Sequence, residues 1–165
     1  MESVLRRGKR GDAVYEHMAE FAVVPLDRKV TCVLVSGEWD LADLKRSRRV
    51  LREALESDAE AILVDLGECG FIDVKALRSL ADTHEEATRL EKAIVIADAG
   101  LQVERFLRIL DLHQDFEIVE TREKALERIE GRRRRFGNRF VRSPQSVGAR
   151  TSSSYARVAT ESLHA

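Results

Sequence analysis

Three aspartates stand where an extended run gives way to a candidate helix, and carboxylates so placed can cap the helix, accept a phosphoryl group or face a partner. Asp40 follows the only tryptophan, Trp39; Asp65 lies in the apolar run 61–66; Asp73 follows Phe71-Ile72. A phosphoryl-accepting aspartate at Asp65 would need a Lys-Pro pair after the last strand. The two prolines, Pro25 and Pro144, follow Val24 and Ser143, which argues against that chemistry. Nucleophilic chemistry has no better start. Cys32 and Cys69 form no C-x-x-C pair, and Cys32 sits in the apolar run TCVLV as a small core residue. His17, His84, His113 and His164 are scattered and do not fall at metal-ligand spacings. There is no Gly-rich phosphate loop and no G-x-S-x-G. These residues point to a binding protein rather than an enzyme, with no metal and no cofactor expected.

The elements that must position these residues follow from periodicity. FAVVPL (21–26) and VTCVLVS (30–36) are β-rich runs joined by Asp27-Arg28-Lys29, a hairpin whose first strand, holding Pro25, belongs at an edge. Gly37-Glu38-Trp39-Asp40 breaks the pattern, and a helix capped by Asp43 is expected to run to about Ser57. Its apolar face is Leu44, Leu51 and Leu55; Lys45, Arg46, Arg48, Arg49 and Arg52 cover the other side as solvated charges. AILVDL (61–66) and AIVIA (93–97) read as strands buried on both faces. A loop at Gly67–Gly70 and a helix capped by Asp73 separate them, the helix's inner stripe being Leu77, Leu80, Ala81 and His84. A helix over 101–110, a strand at FEIV (116–119) and a last helix ending at Gly131 complete the order β-β-α-β-α-β-α-β-α. Alternation of this kind predicts an α/β fold: a mixed, mostly parallel sheet of about five strands packed against about four helices.

Charge divides the chain. Residues 21–130 carry 24 acidic against 16 basic side chains, whereas residues 131–165 carry eight arginines against the single acid Glu161. The expected organisation is a flexible leader over 1–20, one domain over 21–131 and a basic, disordered tail over 132–165. Arg132–Arg135 interleaved with Phe136, Arg139 and Phe140 could touch nucleic acid or an anionic surface, although a solvated tail explains the same composition. No run of 18 apolar residues predicts a transmembrane segment, and no apolar stretch follows the basic N-terminus as in a secretory signal. A cytoplasmic location is expected.

At GEWDLAD (37–43), ILVDLGECGFID (62–73) and LRILDLHQDFEIVETREKAL (107–126) the sequence resembles the STAS domain of bacterial anti-sigma factor antagonists, in order across residues 21–130. The resemblance implies the STAS fold and a non-enzymatic regulator in a partner-switching system of transcription. Such a protein binds an anti-sigma factor with a kinase-like domain and so releases a sigma factor. In the family a serine directly after the F-I-D aspartate is phosphorylated to end that binding. Here Val74 occupies that position, a degenerate phosphosite with no hydroxyl, and Lys75 and Ala76 replace the Ser-Gly that follows. Asp111 stands where the family has a glycine, which asks for a different turn.

The surface so implied comprises Asp73, Val74, Lys75, Ala76 and Leu77, flanked by Asp40 and Trp39. Each residue also has a plainer reading. Asp73 is a helix cap, Asp40 a turn residue, Lys75 an exposed lysine and Trp39 a core plug. A homodimer is a further candidate partnership. The alternative function is a structural or small-ligand-sensing STAS module within a larger complex, which the degenerate switch position favours.

Overall fold

The protein was analysed as a computed structural model that describes residues 18–136. All but the last three residues of the expected leader, and the tail from residue 137, lie outside the described residues. The strands are β1 (Glu20–Pro25), β2 (Val30–Trp39), β3 (Ala61–Ile72), β4 (Ala93–Ala97) and β5 (Glu117–Val119). The helices are α1 (Leu44–Glu56), α2 (Val74–Arg89), α3 (Leu101–Ile109) and α4 (Arg122–Phe136), with a 3-10 turn at Leu41–Asp43.

One sheet holds the five strands in chain order. β1 pairs antiparallel with β2 through a turn in which Asp27 Oδ1 accepts from the amides of Lys29 (2.6 Å) and Val30 (2.8 Å). Pro25 therefore sits on an edge strand, where its missing donor costs no ladder bond. All other pairings are parallel. Alternation along the strands sorts the core into two layers. Val33, Ile62, Val64, Leu66, Ile94 and Ile96 face α1, α2 and α3. Cys32, Leu63, Val95 and Val119 face the other way, under Ala125 and Ile129 of α4. The continuous apolar runs at 61–66 and 93–97 are strands covered on both sides, which is why they carry no polar alternation.

α4 lies antiparallel to the parallel strands. Arg122 near its start holds Asp65 of β3 through Nε (2.7 Å) and Nη2 (2.6 Å), and Arg133 near its end lies 3.8 Å from Glu60, just before β3. Between them Arg128 Nε reaches Glu117 at 2.9 Å, and Arg132 pairs with the same carboxylate. These long-range pairs carry the helix through Gly131, where sequence placed its end. α1, which has no basic residue in its last turn, is closed by Lys92: Nζ donates to the carbonyls of Leu55 (2.6 Å) and Ser57.

Three further expectations are corrected. The break expected at 37–40 is strand as far as Trp39, and the loop expected at 67–70 is strand throughout: β2 runs to Trp39 and β3 to Ile72, paired as Gly37↔Cys69, Glu38↔Phe71 and Trp39↔Ile72. Register shifts between Leu34 and Ser36 and between Gly37 and Glu38 absorb the glycines as bulges. Asp43 does not cap α1. It is buried, with Oδ2 accepting from Ala19 N at 3.1 Å and Oδ1 lying 3.5 Å from Arg46 Nη2. Finally, Asp111 adopts φ 57° and closes α3 as a glycine would, with Asp111 N bonded to Arg108 O (3.1 Å) and Leu112 N to Leu107 O (2.8 Å). Aspartate enters the left-handed region more readily than most side chains, so no different turn is needed.

Among the described residues Gly37 is the one glycine with positive φ, 82°, and a Cβ there would stand 2.9 Å from the carbonyl oxygen of Met18. Gly37→Ala is expected to lower stability by about 1–3 kcal/mol. Gly70→Ala, with nothing within 4 Å of the added carbon, should change it little; equal urea midpoints for the two variants would contradict this. Burial also pushes the Cys32 thiol up to about 11 and raises that of Cys69. Both should resist iodoacetamide in the native protein at mildly alkaline pH and react in concentrated guanidinium chloride, as read by mass spectrometry.

Candidate functional site

β2 and β3 outrun the sheet. β3 pairs with β4 only from Ala61 to Asp65, while its pairing with β2 continues to Ile72. The two strands thus project as a parallel ribbon, and each ends in an aspartate that starts a helix. Asp40 Oδ1 accepts from Ala42 N at 2.7 Å and opens the 3-10 turn. Asp73 Oδ1 accepts from Ala76 N at 2.7 Å while its carbonyl takes Leu77 N at 3.0 Å, which fixes the first turn of α2. A further bond, Asp73 N to Trp39 O at 3.0 Å, ties the two tips together. The helix-starting role of both carboxylates is therefore real geometry, and it leaves Asp40 exposed and Asp73 half-buried.

What the tips present to solvent is set by α2's periodicity. Ala76 and Leu77 turn inward with no exposed surface. Val74, at 37%, and Lys75 turn outward, joined one turn later by Arg78. Leu41 is 53% exposed on the 3-10 turn, which packs against α2. The exposed face is thus Asp40, Leu41, Val74, Lys75 and Arg78, an apolar pair bordered by one carboxylate and two cations. Leu41 and Arg78 were not singled out in the sequence. Leu41's signal is there, a leucine outside the 44/51/55 stripe of α1, but only the 3-10 turn shows that it points away.

Trp39 does not join that face. It is fully buried, edge-on to Phe21 with ring centroids 5.3 Å apart at 81°, and Arg46 lies 5.4 Å over the same Phe21 ring. A side chain without exposed area gives a partner nothing to touch, so Trp39, like Ala76 and Leu77, can act only by supporting its neighbours. The hydroxyls are equally withdrawn. Ser79 is 3% exposed, and Ser47, fully buried, donates to Leu44 O at 3.2 Å. No hydroxyl stands at the entrance of α2 among the described residues.

The remaining candidate residues have structural places. Asp65, besides its hold on Arg122, accepts from Gly67 N at 3.0 Å and is a nearly buried structural carboxylate. Among the described residues no group of His, Cys, Asp and Glu could hold a metal ion, and no helix is long and apolar enough to cross a membrane. His84, its pKa lowered by burial, lies edge-on to Phe116 at 5.1 Å as a packing residue. The strand order also matters. β2 to β5 follow one another without reversal, with α1, α2 and α3 on a single face, so the sheet has no switch point at which strand ends open a ligand crevice.

A family model described as "Mlab, STAS domain" matches residues 23–120, more than half of the chain. A search of curated proteins found no match. Among solved structures, an anti-sigma factor antagonist from Mycobacterium paratuberculosis is similar with TM-score 0.63 and 23% identity, covering 68% of this chain and 95% of its own. The unphosphorylated anti-sigma factor antagonist SpoIIAA, from Bacillus, gives TM-score 0.60 at 16% identity, with 68% and 97% covered. A sulfate transporter family protein from Wolinella succinogenes gives 0.55 at 16%, with 65% and 88% covered. A five-strand sheet in chain order, two strands projecting as a ribbon into aspartate-capped helices and a family match across that whole arrangement lead to one assignment: the chain belongs to the STAS domain family.

Proposed function

We propose that the chain is a non-enzymatic regulator of the anti-sigma factor antagonist kind, docking through the tips of β2 and β3 onto an anti-sigma factor that carries a kinase-like domain. The observation that carries the reading is Val74. It is an exposed hydrocarbon side chain at the first position of α2, directly after the capping Asp73. In the family a phosphorylated serine at this place ends binding, and SpoIIAA is known in both an unphosphorylated and a phosphorylated form. A valine cannot accept phosphate, and Ser79, the next hydroxyl along α2, is buried. Docking is then constitutive: the face holds the apolar surface of the unmodified state permanently. Leu41 extends that surface, Lys75 and Arg78 offer cations to partner carboxylates, and Trp39, Ala76 and Leu77 hold the face rigid from beneath.

A second reading keeps the fold and changes the role, to a structural or ligand-sensing module in a larger complex. The likeness to a sulfate transporter family protein favours it, as does a switch position that cannot switch. Light scattering separates the two, since a stable large homo-assembly fits the module and not a monomeric antagonist.

Incubation with an ATP-binding anti-sigma kinase and labelled ATP should leave residues 71–80 of the natural chain unlabelled, whereas Val74→Ser should acquire label after Asp73. Label in that stretch of the natural chain would sink constitutive docking. Val74→Glu should weaken capture of the same kinase by about tenfold, because a carboxylate loses its hydration in an apolar contact. It should leave the urea midpoint nearly unchanged, since the site is exposed and an acid suits a helix N-terminus. Undiminished capture by Val74→Glu would remove Val74 from the interface.

A further inference from the structure

We propose that the outer face of α1 is a second docking site, a groove that takes an acidic amphipathic segment of a partner protein. It shares Leu41 with the docking face at Val74 but is argued from the cations of α1 and does not rest on that reading. The groove, of about 520 Å³, runs from the 3-10 turn along α1 and is lined by Leu41, Leu44, Lys45, Arg48, Arg49 and Arg52. The four cations are exposed and span two helical turns, roughly 10 Å.

Lys75, Arg78, Arg105 and Arg108 share with these four the lack of an ion pair, but they stand two to a helix on α2 and α3, whereas among the described residues α1 sets four such cations along one face. Arg89, Lys124 and Arg134 each meet a glutamate four residues earlier, at 3.4, 3.0 and 2.7 Å. Among the described residues Lys45, Arg48, Arg49 and Arg52 meet none, and even Glu53 and Glu56, four residues after Arg49 and Arg52, make no ion pair with them. Only Arg46, turned toward Asp43 and Phe21, is engaged. Lys45 faces Arg48 and Arg49 at three- and four-residue spacing, and Arg52 faces Arg48 and Arg49, so the helix carries like-charge repulsion along its outer face. Lys45 and Arg46 also oppose the helix dipole in a first turn with no acid. Folding gains nothing from this arrangement. An anion brought from outside would relieve all of it.

The kind of anion follows from the surroundings. Residues 21–130 carry 24 acids against 16 bases. A polyanion as large as duplex nucleic acid or a lipid surface overlaps far more than the groove, so it comes within a Debye length (about 8–10 Å at ordinary salt) of those acids and is repelled. A single peptide segment feels only the local cations. The apolar end of the groove at Leu41 and Leu44 also suits a side chain better than a phosphate. Carboxylates over the arginines with an apolar residue against Leu41 is the pattern that fits.

The test uses the full-length chain and a fluorescein-labelled synthetic peptide of about 14 residues, ~21 Å as a helix, with glutamates on one face and leucines on the other. Anisotropy should show binding that falls at least about tenfold in R48E/R49E/R52E and several-fold in Leu41→Asp, both folded by circular dichroism. Val74→Glu should bind the peptide as the natural chain does, so loss of docking at Val74 and loss of docking at α1 are told apart. Unchanged binding in the triple variant would overturn the proposal, as would binding indifferent to Leu41. A DNA duplex or phosphatidylglycerol vesicles binding more tightly than the peptide through the same arginines would also overturn it.

Discussion

Everything at the functional end of this molecule depends on a parallel ladder that continues after its neighbours have stopped. β3 is supported on both sides only as far as Asp65; from there to Ile72 its companion is β2. A two-strand parallel ribbon is a weak structure by itself, because each strand exposes an unpaired edge. Here the outer edge of β2 is covered by β1 as far as Ser36 and by a parallel bridge from Met18 to Glu38, and side chains add to that hold. Trp39 is driven into the core against Phe21, and Asp43 clasps the amide of Ala19, bringing the chain before β1 against Gly37. Burying an acid is costly, and the hydrogen bond from Ala19 N to Oδ2, together with the Arg46 guanidinium 3.5 Å from Oδ1, offsets part of that cost.

This explains how a surface of very few residues can be well defined. The exposed leucine and valine sit on two helix starts, each fixed by its own aspartate and laced together through a backbone bond at Trp39. Binding to a face that is already ordered costs little conformational entropy. The labour divides: buried residues of the motif set the geometry, and exposed ones form the face proposed for a partner.

Much of the architecture was legible in the sequence, for physical reasons. The runs 61–66 and 93–97 are apolar without alternation because both faces are covered, and Pro25 marks an edge because it lacks a donor. The tips were not legible. Gly37, Gly67 and Gly70 look like turn formers to any local rule, and only pairing over more than thirty residues makes them strand. Asp43 and Asp40 are both plausible caps until a 3-10 turn separates them. The end of α4 was misjudged because an arginine run resembles a tail, yet Arg132 and Arg133 find Glu117 and Glu60, carboxylates distant in sequence. The exposed face itself was half legible: Val74 and Lys75 follow from spacing after the cap, whereas Leu41 requires the turn.

Among the described residues the second face of the sheet is closed by α4 alone, with Ala125 and Ile129 as its buried apolar contacts and Leu126 partly so. Its remaining attachments are guanidinium–carboxylate pairs whose arginine sides reach solvent while the carboxylates are largely covered. Such a layer comes away at a lower free energy than the main core, and more readily as ionic strength rises. Its departure would bare a strip of Leu63, Val95 and Val119 while leaving the ribbon and its aspartates undisturbed. The protein thus has two layers that can fail separately, and the one that gives way first is not the one that carries the proposed docking face.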